Sequence, residues 1–215
     1  MTTYLLIRHA LTQTAGKVVT GRSPGIHLSS EGLEDAELLA ACLDDFALSA
    51  IYSSPLERAQ ETARAIARRR GLQIITRDDL NEVAFGAWTG LTFDDLAPAA
   101  EWHRFNTLRS VTPAPGGEWM LDIQLRTVRL MEELRRKHQR EVVALVTHGD
   151  VIRFALLHYL GIPIDFFHRL EVEPASVSTI ELGDSSVRVL AVNERRWACS
   201  RNQHAILERS GAERE

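Results

Sequence analysis

An α/β fold, three layers deep with a mainly parallel central sheet, is predicted by two features of the sequence. "TTYLLIRH" (residues 2–9) and "EVVALVTH" (141–148) are short, nearly continuous apolar runs that end in turn-forming residues, the pattern of strands buried on both faces. Other strand-like runs alternate along the chain with segments of helical spacing that carry helix-end signals, which implies crossovers between parallel strands and helices on both faces of the sheet.

Each element can be justified in turn. After the first strand, "SSEGLEDAELLAACLDD" offers Ser29 or Ser30 as an N-cap, acids in the first turn, and Leu33, Ala36, Leu39, Ala40 and Leu43 as one apolar face. "SAIYSS" reads as a short strand. "PLERAQETARAIARRRG" has Pro55 at the start of a helix and Gly71 just past its end. "LQIIT" is a strand at or near an edge. From Leu80 to Gly117 aromatics and turn residues crowd together, and residues 84–117 read as an insertion covering the sheet's end with one or two short helices. "EWMLDIQLRTVRLMEELRRKHQ" is a long amphipathic helix. "GDVIRFALLHYLG" is the helix after the second apolar strand, closed by Gly161, and "SVSTIEL" and "VRVLAVN" are final strands. Residues 1–194 are therefore expected to form one domain, and 195–215 a polar, frayed or disordered tail.

Bulk properties narrow the function classes. With 215 residues the chain can bury roughly 70% of its unfolded surface. Hydrophobic residues make up 45% and charged residues 25%, as in ordinary globular proteins. A net charge of −4 argues against a nucleic-acid-binding surface, so any anion must be held locally. Cys42 and Cys199 show no metal-like or redox-like spacing, which suits a reducing cytoplasm. No stretch resembles a signal peptide or a membrane span.

The two apolar strands end in Arg8–His9 and Thr147–His148. In parallel α/β sheets ligands sit beyond the carboxyl ends of the strands, so these side chains occupy the expected place for chemistry. Backbone N–H groups near Gly149 and Asp150, at a helix start, would point to the same edge and suit an anion.

Four segments in order, "LIRHALT", "IYSSPLERAQETA", "LNEVAFGAWTG" and "VTHGDVIR", resemble the histidine phosphatase superfamily, also called the phosphoglycerate mutase-like family, over about residues 3–193. The resemblance implies that His9 accepts a phosphoryl group, that Arg8, Arg58 and His148 surround the phosphate oxygens, and that Glu82 is the general acid. It implies a hydrolase of small phosphomonoesters that needs no metal or other cofactor, with no nucleic-acid or membrane partner and with a homodimer left open. Physical chemistry supports these roles. Guanidinium groups beside His9 disfavour its imidazolium and leave a neutral nucleophile. Planar forks suit equatorial phosphoryl oxygens, and a buried carboxyl can stay protonated for the leaving group.

The chain departs from the family pattern in several places. Ala10 and Leu11 follow His9 where Gly and an acid are common, and Ala15 falls near the usual phosphate-binding Asn. Gly21 and Arg22, in "TGRSPG", are expected to supply replacement contacts. Trp119 replaces a Ser after Glu118. Plainer alternatives are a surface ion pair for Arg58 with Glu57 or Glu61, a structural role for His148 and a turn cap for Glu82. The aromatics Trp88, Phe93, Trp102, Phe105 and Trp119 could line a pocket or pack a core. His27, His103, His138, His158, His168 and His204 show no ligand spacing and are assigned to surface or core. A mutase using the same intermediate, or a non-catalytic binder of phosphorylated ligands, are the competing functions, and the compact chain favours hydrolysis.

Overall fold

The computed structural model describes residues 1–195; the rest of the expected tail lies outside the described residues. Strands β1 (Thr2–Arg8), β2 (Leu48–Ser53), β3 (Ile74–Thr76), β4 (Val142–Thr147), β5 (Val177–Leu182) and β6 (Val187–Glu194) form a six-stranded sheet in the order β3-β2-β4-β1-β5-β6. β1, β2, β3 and β4 run parallel, whereas β5 and β6 are antiparallel to their neighbours. β3 is an edge strand.

Strand alternation sorts the central residues into two cores. Leu5 and Ile7 of β1, with Ile51, Ala144 and Val146, face helices α1 (Ser30–Cys42) and α2 (Glu57–Arg70). Tyr4 and Leu6, with Val143 and Leu145, face α5 (Met120–Lys137) and α6 (Gly149–Leu160). Tyr4 keeps its hydroxyl satisfied in that core by donating to the Met131 carbonyl at 2.6 Å.

Helix ends follow local chemistry. The Ser29 hydroxyl accepts from Gly32 N at 3.0 Å and starts α1. Gly71 and Gly161 close α2 and α6 at φ of +64° and +67°, a conformation that favours glycine. Leu33, expected on the apolar face of α1, is instead 51% exposed, because the helix buries Gly32, Asp35, Ala36, Leu39 and Ala40. The close approach of Gly32 to the Leu11 carbonyl turns that side of the helix inward.

The segment from Gly86 to Thr107 carries a 3₁₀ turn (Gly86–Trp88) and the short helices α3 (Phe93–Leu96) and α4 (Ala100–Thr107). Phe85, Trp88 and Phe105 pack with Met120 and Ile123 of α5 and with Phe154 of α6, a third core that seats the segment on the second helical layer. Trp88 and Phe105 are thus packing, whereas Phe93 and Trp102 line a cavity at the sheet's end and Trp119 stands 45% exposed at the start of α5. Among the described residues, no helix is long and apolar enough to cross a membrane.

Candidate active site

β1 and β4 are paired in register, Arg8 opposite Thr147, so both strands end together and deliver His9 and His148 side by side. The His9 amide donates to the Thr147 carbonyl at 2.9 Å, and the two imidazole rings lie 5.2 Å apart, edge to face. His9 Nδ1 is 2.8 Å from the Ala10 carbonyl, which can only accept; Nδ1 therefore carries the proton and Nε2 presents a lone pair. Ala10 N in turn donates to Thr62 Oγ1 at 3.0 Å, and that hydroxyl donates to the Arg58 carbonyl at 2.8 Å. Thr62, in the "RAQETA" segment, thus locks the turn after His9 onto α2.

His148 is fully buried, with Nε2 2.8 Å from Ser54 Oγ. Leu56 N donates to that hydroxyl oxygen; a hydroxyl proton pointed at Nε2 leaves the ring's own proton on Nδ1. Nδ1 lies 3.8 Å from Glu82 Oε2. Arg58 is 1% exposed, which disposes of the surface ion pair; its Nη2 donates to the Gly21 carbonyl at 2.7 Å. Arg8 Nη1 donates to the Val172 carbonyl at 2.6 Å. Arg8 Nε, Arg58 Nη1 and His148 Nδ1 are buried and make no hydrogen bond within the protein, although buried donors of this kind normally find partners. Gly149 lies against Arg8: a Cβ there would stand 3.3 Å from Arg8 Nε.

Burial is the largest influence on both histidines. It depresses His9 well below the usual imidazole range, and Arg58 and Arg8 push in the same direction; the guanidinium groups expected to govern His9 come second. His148 is depressed likewise, by burial first and Arg58 next. Glu82 moves the other way: burial and the nearby Asp150 carboxylate push its carboxyl up to about 7, against Arg58 and Arg8. The site therefore holds two neutral imidazoles, two cations and an acid that is partly protonated at neutral pH.

Of the residues predicted from sequence, Arg8, His9, Glu82, Gly21 and Gly149 line a cavity of about 310 Å³, with Arg58 and His148 buried behind them. Arg22 departs from expectation. Its Nη2 pairs with Glu118 Oε1 at 2.7 Å and its Nε donates to the Glu82 carbonyl at 2.8 Å, so its guanidinium buttresses the general-acid segment instead of adding a phosphate contact. Glu118 Oε2 also accepts from Ala84 N at 2.8 Å, and Arg126 grips the carbonyls of Asp79 and Asn81. This clamp of Arg22, Glu118 and Arg126 around Glu82 was invisible in the sequence, because its members are scattered over 105 positions and none stands in a catalytic spacing.

His168, assigned to surface or core, lines the same cavity together with Asn106, Arg109, Asp150 and Arg153. Asp150 and Arg153 lie three residues apart inside the "VTHGDVIR" segment, a helical spacing that would have flagged a shared pair; Arg109 carried no signal. Among the described residues, no group of three or more His, Cys, Asp or Glu side chains is disposed to hold a metal ion.

Two imidazoles, two guanidinium groups and a raised carboxyl, gathered at the carboxyl ends of parallel strands, define a phosphoryl-transfer site on an α/β scaffold. Residues 4–195 match the model of the histidine phosphatase superfamily, branch 1, and the chain belongs to that family. It is 29% identical to phosphoserine phosphatase 1 of Hydrogenobacter thermophilus, over 90% of this chain and 92% of the relative. It is 35% identical to the bifunctional protein Rv2228c of Mycobacterium tuberculosis, covering 88% of this chain but only 53% of that longer protein. Among solved structures, Bacillus stearothermophilus YhfR superposes with a TM-score of 0.86 at 26% identity, over 92% of this chain and 99% of that one. The mycobacterial glucosyl-3-phosphoglycerate phosphatase Rv2419c gives a TM-score of 0.78 at 28% identity, over 89% and 98%. The chain is accordingly a phosphoric monoester hydrolase of the phosphoglycerate mutase-like kind.

Proposed function

We propose that the protein hydrolyses small phosphomonoesters without a metal ion, through a phosphohistidine on His9. The His9 Nε2 lone pair attacks phosphorus in line with the ester oxygen; the P–O bond breaks and Glu82 gives its proton to the departing oxygen. Water then attacks the phosphohistidine, Glu82 takes a proton from it, and the P–N bond breaks to release inorganic phosphate. Arg8, Arg58 and His148 donate to the phosphoryl oxygens throughout, supplying fixed charge where it develops. One observation carries the reading: the in-register pairing that sets His9 beside His148, with Glu82 Oε2 3.8 Å from His148 Nδ1.

The phosphatases resembling this chain are named for unlike substrates, phosphoserine and a glucosylated phosphoglycerate, so the names support the bond cleaved and not one organic body. A cytoplasmic location fits this chemistry. Among the described residues β6 is an outer strand of the sheet, with Val187 and Leu190 exposed, and is where a homodimer would pair; sedimentation of the purified protein reads this directly.

The deciding experiment is p-nitrophenyl phosphate hydrolysis in excess chelator. Turnover is expected to persist, and His9→Ala to lower it by about 10³-fold or more while abolishing an acid-labile phosphoenzyme. Loss of native turnover on chelation, or a His9→Ala protein that still forms the phosphoenzyme, would overturn the mechanism.

A further inference from the structure

The general acid stands on backbone that forms neither helix nor strand: residues 81–85 run between the 3₁₀ turns at Asp78–Leu80 and Gly86–Trp88. The polar groups of such a stretch must find partners outside regular structure. Side chains from four other parts of the chain supply them. Arg126 of α5 donates through Nη1 to the Asp79 carbonyl and through Nη2 to that of Asn81 at 2.6 Å. Thr147 Oγ1 of β4 donates to the Leu80 carbonyl at 2.6 Å, and Arg22 Nε to that of Glu82 at 2.8 Å. Glu118 completes the set. Its Oε2 accepts from Ala84 N at 2.8 Å, its own amide donates to the Ala84 carbonyl at 2.9 Å, and its Oε1 takes Arg22 Nη2 at 2.7 Å, with Arg126 Nε 3.7 Å away. Gly117 lets the two segments close, since a Cβ there would stand 2.1 Å from the Ala84 carbonyl oxygen.

The Glu82 carboxyl, by contrast, is tied mainly to its own neighbour. Oε1 accepts from the Val83 amide at 2.9 Å, and Oε2 stands 3.8 Å from His148 Nδ1, outside hydrogen-bond distance. A carboxyl held in this way goes where its backbone carries it. The Arg22–Glu118 pair is part-exposed and adds little to stability as an ion pair, so its consequence is the place it gives to residues 82–84. Proton transfer to a departing oxygen needs that place to be exact, because a displacement of about 1 Å can cost about 10²-fold. Aryl esters expel a group that needs no proton and should not register the displacement.

We propose that Glu118 is a positioning residue for the acid step: through the Ala84 amide and Arg22 it fixes the backbone that carries Glu82, and so the point at which that carboxyl meets a departing alkoxide oxygen. The inference rests on the acid role proposed for Glu82. Glu118→Gln keeps the shape, but its amide nitrogen must face either the Ala84 N–H or the Arg22 guanidinium, donor against donor. The test measures kcat/KM for glycerol 3-phosphate and p-nitrophenyl phosphate in the native protein, Glu118→Gln, Glu82→Gln and the double variant. Glu118→Gln is expected to lower the alkyl value by about tenfold or more and the aryl value by no more than about threefold. Added to Glu82→Gln, it should cost less than about threefold with either ester, because no acid remains to be placed. Arg22→Gln, at a side chain 37% exposed, should show the same alkyl-selective loss and serves if Glu118→Gln fails to fold. Removing the Glu118 charge could also ionise Glu82 early, so the alkyl loss is read at pH 5.5 as well as pH 7.5 and should persist at both. Equal losses for the two esters, no alkyl loss, full additivity in the double variant, or a loss confined to pH 7.5 would each overturn the positioning role. An alkyl-selective Glu82→Gln beside a silent Glu118→Gln removes this inference and leaves the proposed function standing; parallel losses in Glu82→Gln itself remove the acid role and this inference with it.

Discussion

Glu82 and His9 are displaced from their ordinary protonation in opposite directions, and the consequences can be separated by pH. The Glu82 carboxyl moves from 4.5 to about 7, with burial as the main cause. A group whose folded value is raised contributes stability that is fully present below its unfolded value and is lost as pH rises through the folded one. For Glu82 the loss begins above 4.5 and is complete above about 7, where it reaches at most about 3 kcal/mol. Glu82→Gln removes the ionisation, so it should unfold like the native protein at pH 4 and be more stable by up to that amount at pH 8. Urea unfolding at both values checks this; an equal gain at both would mean that packing, and not ionisation, is responsible. Activity carries the same signature. His9 stays neutral well below pH 6.5, so kcat/KM for alkyl phosphates should hold on the acid side and decline above about pH 7 as Glu82 loses its proton. Aryl phosphates, whose leaving group needs no proton, should escape the decline in kcat/KM, and Glu82→Gln should lower kcat/KM for the alkyl esters by about 10²–10⁴-fold and far less for the aryl ones. Parallel profiles for both ester types would remove the acid role.

At the scale of elements, two helix glycines contradict helix propensity for reasons of contact. Alanine is worth roughly 1 kcal/mol more than glycine inside a helix, yet a Cβ on Gly32 of α1 would stand 2.0 Å from the Leu11 carbonyl, a backbone atom that cannot step aside. Gly32→Ala should therefore destabilise the protein by about 2 kcal/mol or more in chemical denaturation. Gly149→Ala differs, because the atoms nearest its Cβ belong to the flexible Arg8 side chain, at 3.3 Å for Nε. Stability should be unchanged or slightly raised, while displacement of Arg8 by a few tenths of an ångström should cost about tenfold or more in kcat. Thermal melts and steady-state kinetics on the same sample separate the two effects. The elements themselves were readable because their cause is local: apolar runs for β1 and β4, Ser29 before α1, and Gly71 and Gly161 after α2 and α6. His9, His148 and Glu82 were legible through motifs at element ends. The clamp on Glu82 and the wall of Arg109 and Arg153 were not, since both arise where the segment over the sheet meets α5 and α6, a contact fixed only by tertiary packing. Arg22 shows the limit: its direction, toward Glu118, is set by a residue 96 positions away.

On the scale of the whole molecule, the site lies where the topology opens a crevice. β1 and β4 are neighbours, but the helix following β1 packs on one face of the sheet and the helix following β4 on the other. The chain parts at their carboxyl ends, which is where open α/β sheets place ligands. The segment over this crevice is bound to the body by the third core, in which Trp88 and Phe105 share contacts with Met120, Ile123 and Phe154. We infer that residues 1–194 unfold as one domain, because exposing that core removes packing from α5 and α6 as well. Three of the four tryptophans, Trp88, Trp102 and Trp119, lie in or beside the segment, so their fluorescence reports on it, while far-ultraviolet dichroism follows the helices and sheet. Both signals should give the same urea midpoint and slope. A fluorescence transition completed at lower urea, with the dichroism unchanged, would show the segment to be a separate unit that can leave the crevice while the sheet stays folded.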